Sequence, residues 1–529
     1  MNITRTLCAA ALTGLGLSTL PVMALAQTNV DGNTLLNPAP DMWPTYHGDY
    51  SGQRHSDLTQ ITPDNVDMLG LYWVFQSNQP QAIKGTPLLV DGILYVTATN
   101  NAWAVDARTG RELWRYQYPE NNGFHIGQRG VAIHGDLVYL TTPDAYLVAL
   151  NRHTGAPAWQ VAIADYRAGY WSTNAPLLIR NHLIVGVSGD FDNLPGVLRS
   201  YDPQTGELQW TFYSTLPSDL RSPGDADSVY DNAMGGQMWM TGTYDPDLNL
   251  LYVGTGNPTP VLNGDARPGD NKWTGSILAL NPDSGELAWG YQINPHDTHD
   301  WDAAEVPVLF EADFNGRSRK LLMQASRNGY FAVLDRESGE NLLARPFATQ
   351  NWSLGEDDNG QPIPDPTKEP QQAGSLVAPD EAGATNYRSP AFDPDSGLLL
   401  VSSADAYGLW FNKEAHGDYG WAGADYTVHS RGELRAIDYR TGDIAWRVDL
   451  FGGAGMAGVM TTATGLAFTG DSARNAMALR SSTGEVLWHS ALGRVTNAPI
   501  TYMLDGRQFI VLAAGSTLYG FALPQRLVP

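Results

Sequence analysis

Three short segments of the chain are rich in oxygen-bearing side chains that bind hard metal ions. They are 188–192 (Ser-Gly-Asp-Phe-Asp), 254–258 (Gly-Thr-Gly-Asn-Pro) and 295–302 (Pro-His-Asp-Thr-His-Asp-Trp-Asp). Carboxylate and amide oxygens suit Ca²⁺ or another hard cation. Each segment follows a strand-like stretch, so we expect the three loops to converge. Any one of them alone is more typical of a turn, and Asp297 and His299 are equally compatible with a capping role.

The elements that must position these loops are indicated by a repeat. An apolar stretch leads to Asp or Asn, then to Ser/Thr-Gly, and usually to a Trp four residues after the Gly. Asp or Asn caps a tight turn, Gly takes a positive φ, and the following strand sends Trp between neighbouring sheets. The copies span 104–114, 148–159, 199–210, 278–289, 333–343, 436–446 and 477–488.

The spacing of the repeat is typical of four-stranded propeller blades. The longest interval, between Gly339 and Gly442, predicts a degenerate blade at 386–402, which brings the count to eight. Strand-like stretches at 93–99, 137–142, 183–189, 250–256 and 509–515 carry β-branched and aromatic residues. The predicted fold is all-β, an eight-bladed β-propeller with tryptophan docking. Many propellers only bind partners, so the loops must decide between an enzyme and a non-catalytic scaffold.

The N-terminus predicts export. Residues 1–26 combine Arg5, an apolar run and an Ala-Leu-Ala cleavage site, typical of a secretory signal peptide, so we expect one domain over 27–529 in the periplasm. No later segment is apolar enough to span a bilayer. Cys8 is the only cysteine, so the mature protein has no Cys-x-x-Cys-His haem site.

The net charge of −24 argues against nucleic acids and anionic membranes as partners. Solubility is its plain interpretation, and attraction of a basic electron acceptor is the other. Neither hydrolase motif considered, Gly-x-Ser-x-Gly or His-Glu-x-x-His, is found in the sequence.

The order of several motifs resembles the quinoprotein alcohol dehydrogenases, the family of methanol and ethanol dehydrogenases that use pyrroloquinoline quinone (PQQ). The resemblance begins at 43–51 and extends to the last blade. Its most specific segments are 242–246 (Gly-Thr-Tyr-Asp-Pro), 254–258, 267–273 (Arg-Pro-Gly-Asp-Asn-Lys-Trp) and 295–297 (Pro-His-Asp).

The resemblance implies roles for individual residues. Asn257 matches a metal ligand, and Asp300 matches the catalytic aspartate that adjoins the metal and accepts the proton of the substrate hydroxyl. Asp302 matches an additional carboxylate found in members that use lanthanides, which favours a lanthanide over Ca²⁺. Arg327 matches a basic residue near the quinone carbonyls that stabilises developing negative charge. Contacts with the quinone are implied for Arg129, Thr173, Ser188, Gly189, Trp239, Arg327 and Asn386.

The chain departs from the family pattern at three places. An adjacent cysteine pair is replaced by Gly123-Phe124. The metal-binding glutamate has no direct match, and Asp190 or Asp192 must replace it; Asp190 is preferred because it follows Ser188-Gly189. Lys84 stands where some members carry a glutamate near a quinone carboxylate, and a cation there is compatible with binding.

The resemblance implies PQQ- and metal-dependent oxidation of an alcohol, with electrons passed to an external acceptor such as a c-type cytochrome. The alternatives are a sugar or polymer dehydrogenase on the same cofactor, and a non-catalytic scaffold of the cell envelope. The insertion at 356–383 is expected to form an irregular lid over the entrance. The sequence leaves open which alcohol is oxidised and whether the protein is a homodimer.

Overall fold

The computed structural model describes residues 28–120, 122–123, 127–189, 193–216, 234–413, 420–452, 455 and 457–525. The expected signal peptide lies outside these residues. The α-helix of the described part is short, Gly32–Leu36, and Asp31 caps its N-terminus. Single turns of 3₁₀-helix lie at Val66–Met68, Tyr166–Ala168, Gly264–Ala266 and Pro366–Lys368. Within the described ranges, no helix is long and apolar enough to cross a membrane.

Antiparallel strands account for most of the chain, and they form successive sheets that we call blades 1 to 8. Blade 1 contains Leu88–Val90, Ile93–Ala98, Asn101–Asp106 and Glu112–Gln117. Blade 2 contains Ala132–His134, Leu137–Thr141, Tyr146–Asn151 and Pro157–Ala162. Blade 3 contains Leu177–Ile179, His182–Gly186, Val197–Tyr201 and Leu208–Tyr213. Blade 4 contains Thr243–Asp245, Leu250–Gly254, Ser276–Leu280 and Leu287–Gln292.

The second half of the chain continues the series. Blade 5 contains Val308–Phe314, Arg317–Ala325, Tyr330–Asp335 and Asn341–Pro346. Blade 6 contains Ser375–Val377, Ala391–Asp393, Leu398–Asn412, Gly423–Asp438 and Ile444–Asp449. Blade 7 contains Met460–Thr462, Leu466–Gly470, Asn475–Arg480, Val486–Ala491 and the parallel strand His55–Ser56. Blade 8 contains Ile500–Leu504, Arg507–Ala514, Thr517–Ala522 and Gly70–Gln76. Two-stranded ribbons pair Met234–Gly235 with Pro258–Thr259, and Ser353–Glu356 with Pro362–Pro364.

Blade 8 joins the two ends of the chain. Gly70–Gln76 pairs antiparallel with Thr517–Ala522, so a strand from the beginning of the chain completes the last sheet. This closure gives the last blade its outer strand from the beginning of the chain, as in a β-propeller. The predicted all-β propeller is confirmed, and each of the five strand-like stretches overlaps a strand of the structure.

The repeated Trp and Gly residues join neighbouring blades at six boundaries. Gly155 turns the chain at φ +72°, and a Cβ placed on it would lie 2.7 Å from the ring of Trp114 in the preceding blade. The Trp114 indole N–H donates to the Arg152 carbonyl at 2.8 Å, which orients the ring. The predicted docking is therefore confirmed. The same contact occurs in the pairs Trp73–Gly110, Trp159–Gly206, Trp210–Gly285, Trp289–Gly339 and Trp446–Gly484.

One assignment within the propeller is wrong. The stretch 386–402 is not a separate blade, because Ala391–Asp393 and the start of Leu398–Asn412 pair in the same sheet that ends at Ile444–Asp449. The long interval before Gly442 instead contains the insertion after blade 5 and an extended hairpin of blade 6. The eighth blade is the closing sheet, which has no Ser/Thr-Gly turn and therefore lacked the repeat signal.

The metal-type loops leave neighbouring strands at one region of the propeller. Ser188 follows the strand His182–Gly186, and Asn257 follows Leu250–Gly254. A Cβ on Gly254 would collide with the Ala303 carbonyl oxygen, so glycine allows the loop after it to lie against the segment that contains Asp302. The Ala303 N–H donates to the Thr255 carbonyl at 2.9 Å, which fixes this approach.

Candidate functional site

The loop that carries Asp300 is fixed by the carboxylate of Asp297. This buried carboxylate accepts hydrogen bonds from the backbone N–H groups of His299, at 3.0 Å, and Trp301, at 2.9 Å. The Trp301 indole donates to the Asp380 carbonyl at 2.9 Å. Asp300 lies at the apex with φ +61°, a left-handed conformation that Asp adopts more readily than most residues. Asp297 thus has the capping role that its position allowed, and that role orients Asp300.

Asp300 and Asp302 converge on one guanidinium. Arg327 donates to Asp300 Oδ2 at 2.9 Å and to Asp302 Oδ2 at 2.7 Å. Only 7% of Asp300, 4% of Asp302 and 4% of Arg327 is exposed, so water screens these charges weakly. Burial opposes the charge of Arg327, but Asp300, Asp302 and Glu381 outweigh it and raise the pKa of the guanidinium. Burial raises the pKa of Asp302 although Arg327 lowers it.

Asp302 also connects two of the predicted segments, 254–258 and 295–302, and joins them to Trp239. Its Oδ1 accepts the backbone N–H of Asn257 at 2.7 Å, and its Oδ2 accepts the indole N–H of Trp239 at 3.1 Å. Asn257, Asp300 and Asp302, three of the residues expected to bind metal, are thus brought together around Asp302 and Arg327. Their donors, two carboxylates and an amide carbonyl, fit a hard cation.

The rest of the expected ligand set is incomplete in the described residues. Asp190, the carboxylate preferred for the missing glutamate, and its alternative Asp192 lie outside them, as does Phe124. Within the described ranges, no group of three or more His, Cys, Asp or Glu side chains is arranged to hold a metal ion. The set of Asn257, Asp300 and Asp302 contains two such side chains and one amide.

The indole of Trp239 extends from the acidic cluster to a cationic one. The guanidinium of Arg129 lies 4.5 Å from the Trp239 ring centre. Arg129 also donates to the Thr173 hydroxyl, and its backbone N–H donates to the Thr173 carbonyl at 3.2 Å. The flat face of Trp239 and the cation above it fit an aromatic anion, because the ring stacks and the guanidinium binds carboxylates. The structure thus places three predicted quinone contacts, Arg129, Thr173 and Trp239, in one network.

The remaining predicted contacts lie around this network. Ser188 exchanges two backbone hydrogen bonds with Trp171, at 2.9 and 3.1 Å, and the Gly189 carbonyl accepts from Gln237 at 3.4 Å. Asn386 uses its side chain locally, accepting from the Tyr387 N–H at 2.8 Å and donating to the Ala382 carbonyl at 3.1 Å.

The insertion predicted at 356–383 contacts the site. The Glu381 carbonyl accepts from Arg327 at 2.6 Å, and its side chain accepts from the same guanidinium at 3.2 Å. The Lys368 carbonyl lies 3.1 Å from His299 Nε2. Burial lowers the pKa of His299 to about 3, so this ring is neutral. The insertion therefore helps to fix the Asp297–Asp302 loop.

Three residues at the site were not singled out from the sequence. Tyr387 lies 5.3 Å from the Arg129 guanidinium, Arg388 follows it, and Glu305 is a buried acid beyond Asp302. The available signal was the charge of Arg388, two residues after the predicted contact Asn386. Glu305 follows two alanines and offered no recognisable motif.

Comparison with known proteins agrees with this geometry. Residues 43–372 and 420–510 match the family described as PQQ, glucose/ethanol/alcohol dehydrogenase, β-propeller domain. The quinoprotein alcohol dehydrogenase PedH of Pseudomonas putida is 34% identical over 521 residues, covering 89% of this chain and 85% of the relative. The lanthanide-dependent methanol dehydrogenase of Methylacidiphilum fumariolicum is 30% identical over 551 residues, covering 96% of this chain and 90% of the relative.

A solved structure gives the same result. The quinohemoprotein alcohol dehydrogenase ADHIIG of Pseudomonas putida superimposes with a TM-score of 0.89 at 30% identity, covering 94% of this chain and 83% of that one. Such likeness over nearly the whole propeller extends beyond a shared fold and favours an enzyme over a scaffold. The chain belongs to the PQQ-dependent quinoprotein alcohol dehydrogenases.

Proposed function

We propose that this protein oxidises a small alcohol to the aldehyde or ketone with PQQ and one metal ion. A lanthanide is favoured over Ca²⁺. The observation that carries the proposal is the double ion pair of Arg327 with Asp300 and Asp302, joined through Trp239 to Arg129. A proton acceptor, hard metal ligands and an aromatic platform are thereby combined in one buried network.

Each group has a distinct task in this proposal. Asn257, Asp300, Asp302 and one of Asp190 and Asp192 would hold the metal ion, and Trp239 would support the quinone. When bound, the quinone supplies an electrophilic carbonyl carbon that accepts hydride, and the metal ion acts as a Lewis acid. Asp300 is the general base that takes the hydroxyl proton of the alcohol. Arg327 provides fixed positive charge where negative charge develops.

The preference for a lanthanide follows from Asp302. A trivalent ion gains more Coulomb energy than a divalent ion from each added carboxylate. Burial of Asp302 increases that gain, since a buried carboxylate needs a cation nearby. The relative named as a lanthanide-dependent methanol dehydrogenase supports this choice.

The electron acceptor is proposed to be a separate protein, such as a c-type cytochrome. These 529 residues contain one cysteine and hence no Cys-x-x-Cys-His haem attachment site. The signal-like residues 1–26 support a periplasmic location.

The experiment that tests the proposal is reconstitution of the metal-free apoprotein. Dye-linked oxidation of a panel of alcohols and sugars is measured with PQQ alone, with PQQ plus Ca²⁺, and with PQQ plus La³⁺. We expect turnover of simple alcohols only when quinone and metal are both present, with La³⁺ giving the higher rate. In Asp302→Ala the advantage of La³⁺ should disappear while quinone binding, measured by absorbance, persists.

Two results would contradict the proposal. Sugars oxidised in preference to simple alcohols would reassign the substrate. Absence of both quinone binding and turnover with either metal would exclude quinone-dependent catalysis by this chain. An unchanged La³⁺ preference in Asp302→Ala would remove Asp302 from the metal site and leave the dehydrogenase assignment intact.

A further inference from the structure

Three cations surround a single aromatic ring beside Trp239. The Lys84 ammonium lies 5.9 Å from the Tyr387 ring centre, the Arg129 guanidinium 5.3 Å, and the Arg388 guanidinium 5.7 Å. We call Lys84, Arg129 and Arg388 the cation triad. Such a concentration of like charge is unfavourable unless an anion accompanies it.

The two guanidinium groups of the triad lack carboxylate partners among the described residues. Among the described residues, neither Arg129 nor Arg388 forms an ion pair with a carboxylate, and the Nε and Nη1 atoms of Arg388 are buried without a hydrogen-bond partner. The Nε of Arg129 is in the same condition. Burial lowers the pKa of all three cations. A buried guanidinium without acceptors is unfavourable, so these donors point to a ligand that supplies them.

At the acidic end of the site, in contrast to the triad, the cation is paired with carboxylates. Arg327 has Asp300, Asp302 and Glu381 as partners, and they raise its pKa despite burial. The site is therefore polarised along Trp239, with carboxylates at one end and the triad at the other.

We propose that the cation triad binds the carboxylates of the quinone, and that Arg388 is a cofactor-binding residue of this chain. This inference rests on the proposed function. PQQ is a flat tricarboxylate, so its charge matches three cations and its ring system matches the adjacent face of Trp239. Charge-assisted bonds from guanidinium groups to carboxylates are among the stronger polar interactions in proteins. The triad would hold the quinone before metal is bound, because Asp300 and Asp302 form their ion pairs with Arg327.

The test measures quinone affinity instead of turnover. Apoprotein in EDTA is titrated with PQQ, and binding is followed by quenching of tryptophan fluorescence and by calorimetry. Arg388→Gln is compared with Arg388→Lys, Lys84→Gln and the control Arg447→Gln, which removes an exposed charge from the outer strand of blade 6. We expect Arg388→Gln and Lys84→Gln each to weaken binding about tenfold or more, in line with the energy of a charge-assisted hydrogen bond. Arg388→Lys should retain most of the affinity, and Arg447→Gln should equal the wild type.

A second ligand distinguishes the contribution of the PQQ charges to binding from the contribution of its ring system. The trimethyl ester of PQQ keeps the ring system and lacks the negative charges. It should bind wild type and Arg388→Gln equally, and raising the salt concentration should weaken wild-type binding of PQQ more than binding of the ester. Thermal melting of each variant establishes that it is folded, and Lys84→Gln provides the same test if Arg388→Gln is not.

The outcomes distinguish failure of this inference from failure of the proposed function on which it rests. If wild type binds PQQ and the triad variants bind it equally well, the triad is not a carboxylate site, while the proposed function stands. If Arg388→Gln leaves PQQ affinity unchanged and raises KM only for alcohols that carry a carboxylate, the triad recognises substrate and the inference is overturned. If wild type binds no PQQ, with or without metal, the proposed function and the inference both fail.

Discussion

Asp300 combines an unusual backbone with a partnered side chain. Its φ of +61° lies in the left-handed region. Adopting this conformation costs most residues about 1 kcal/mol or more in free energy. Asn and Asp enter this region more readily than other residues with a side chain. The position therefore constrains the residue type through its backbone as well as its chemistry.

This constraint makes Asp300→Asn the informative substitution. We expect kcat to fall by about 100-fold or more, because the amide cannot serve as general base. The melting temperature should change little, since Asn keeps the backbone conformation. Asp300→Ala should lose as much activity and also stability. Steady-state kinetics and thermal unfolding of both variants provide the measurements, and an active Asp300→Asn enzyme would exclude Asp300 as the base.

Glu305 is a buried acid that makes the stability of the protein depend on pH. Burial is the main influence on this side chain and raises its pKa to about 8, although Arg327 acts in the opposite direction. In the unfolded chain glutamate titrates near its ordinary value of 4.5. Between these values the folded protein retains a proton that the unfolded chain has released, so the free energy of unfolding falls as pH rises.

Glu305→Gln should remove this contribution to the pH dependence. The variant should gain stability over the wild type by roughly 1.4 kcal/mol per pH unit within that interval. At pH 5 the two proteins should unfold at similar urea concentrations, and at pH 8 the variant should require more urea. Parallel pH profiles for the two proteins would show that Glu305 does not carry a raised pKa.

Sequence reasoning identified residues that lie in a distinctive motif and missed those that do not. Roles could be predicted for Asn257 and Asp300 because they lie in or near segments that resemble the family's motifs. No role could be predicted for Arg388, because its proposed role depends on Lys84 and Arg129, which belong to distant parts of the chain. The choice between Asp190 and Asp192 remains a prediction, since both lie outside the described residues.

The elements of this fold are joined by a contact that recurs at blade boundaries. Each docking tryptophan covers a glycine whose φ is positive and whose missing side chain makes room for the indole. Backbone conformation and packing therefore impose the same residue at that turn. Because both requirements select glycine at the same position, the repeat could be recognised in the sequence.

The two effects can be separated by a matched pair of substitutions. Gly155 and Gly316 have similar φ values, +72° and +76°, but only Gly155 faces an indole, since nothing lies within 4 Å of a Cβ on Gly316. Gly316→Ala should cost about 1 kcal/mol through backbone strain alone. Gly155→Ala should cost 1–3 kcal/mol more, roughly, because it also overpacks the Trp114 dock. Equal losses in urea unfolding would mean that the dock is not tightly packed.

Element positions could be predicted wherever the signal was local. The repeat that ends at Trp446 identifies blade 6 from its own turn, whereas the prediction of a separate blade at 386–402 is wrong because those strands belong to blade 6. The extended hairpin of blade 6 stretches the usual spacing, and the sequence gives no local sign of that lengthening. Long insertions separate neighbours in the sheet without changing their pairing.

At the scale of the molecule, one strand completes the ring. Trp73 lies on Gly70–Gln76 and is 5% exposed, packed against Gly520 in its own sheet and against Gly110 in blade 1. It therefore links the two ends of the chain. We expect Trp73→Ala to destabilise the whole propeller by about 3–5 kcal/mol, as for other buried tryptophans.

Leu71 on the same strand is 54% exposed and provides the control. Leu71→Ala should change the free energy of unfolding by less than about 0.5 kcal/mol. Loss of blade 8 alone, seen as a separate early transition in Trp73→Ala, would contradict the expectation that closure stabilises all blades together.

During synthesis, the closing strand Gly70–Gln76 must wait until the end of the chain is made before it can pair. Ribosomes add about 5–20 residues per second, so the roughly 440 residues between Gln76 and Thr517 take about 20 to 90 seconds to make. During that interval the newborn segment with Trp73 and Phe75 has no partner strand and exposes apolar surface. A chaperone that shields this segment until translation ends would raise the yield of native enzyme, and the benefit should grow as translation is slowed.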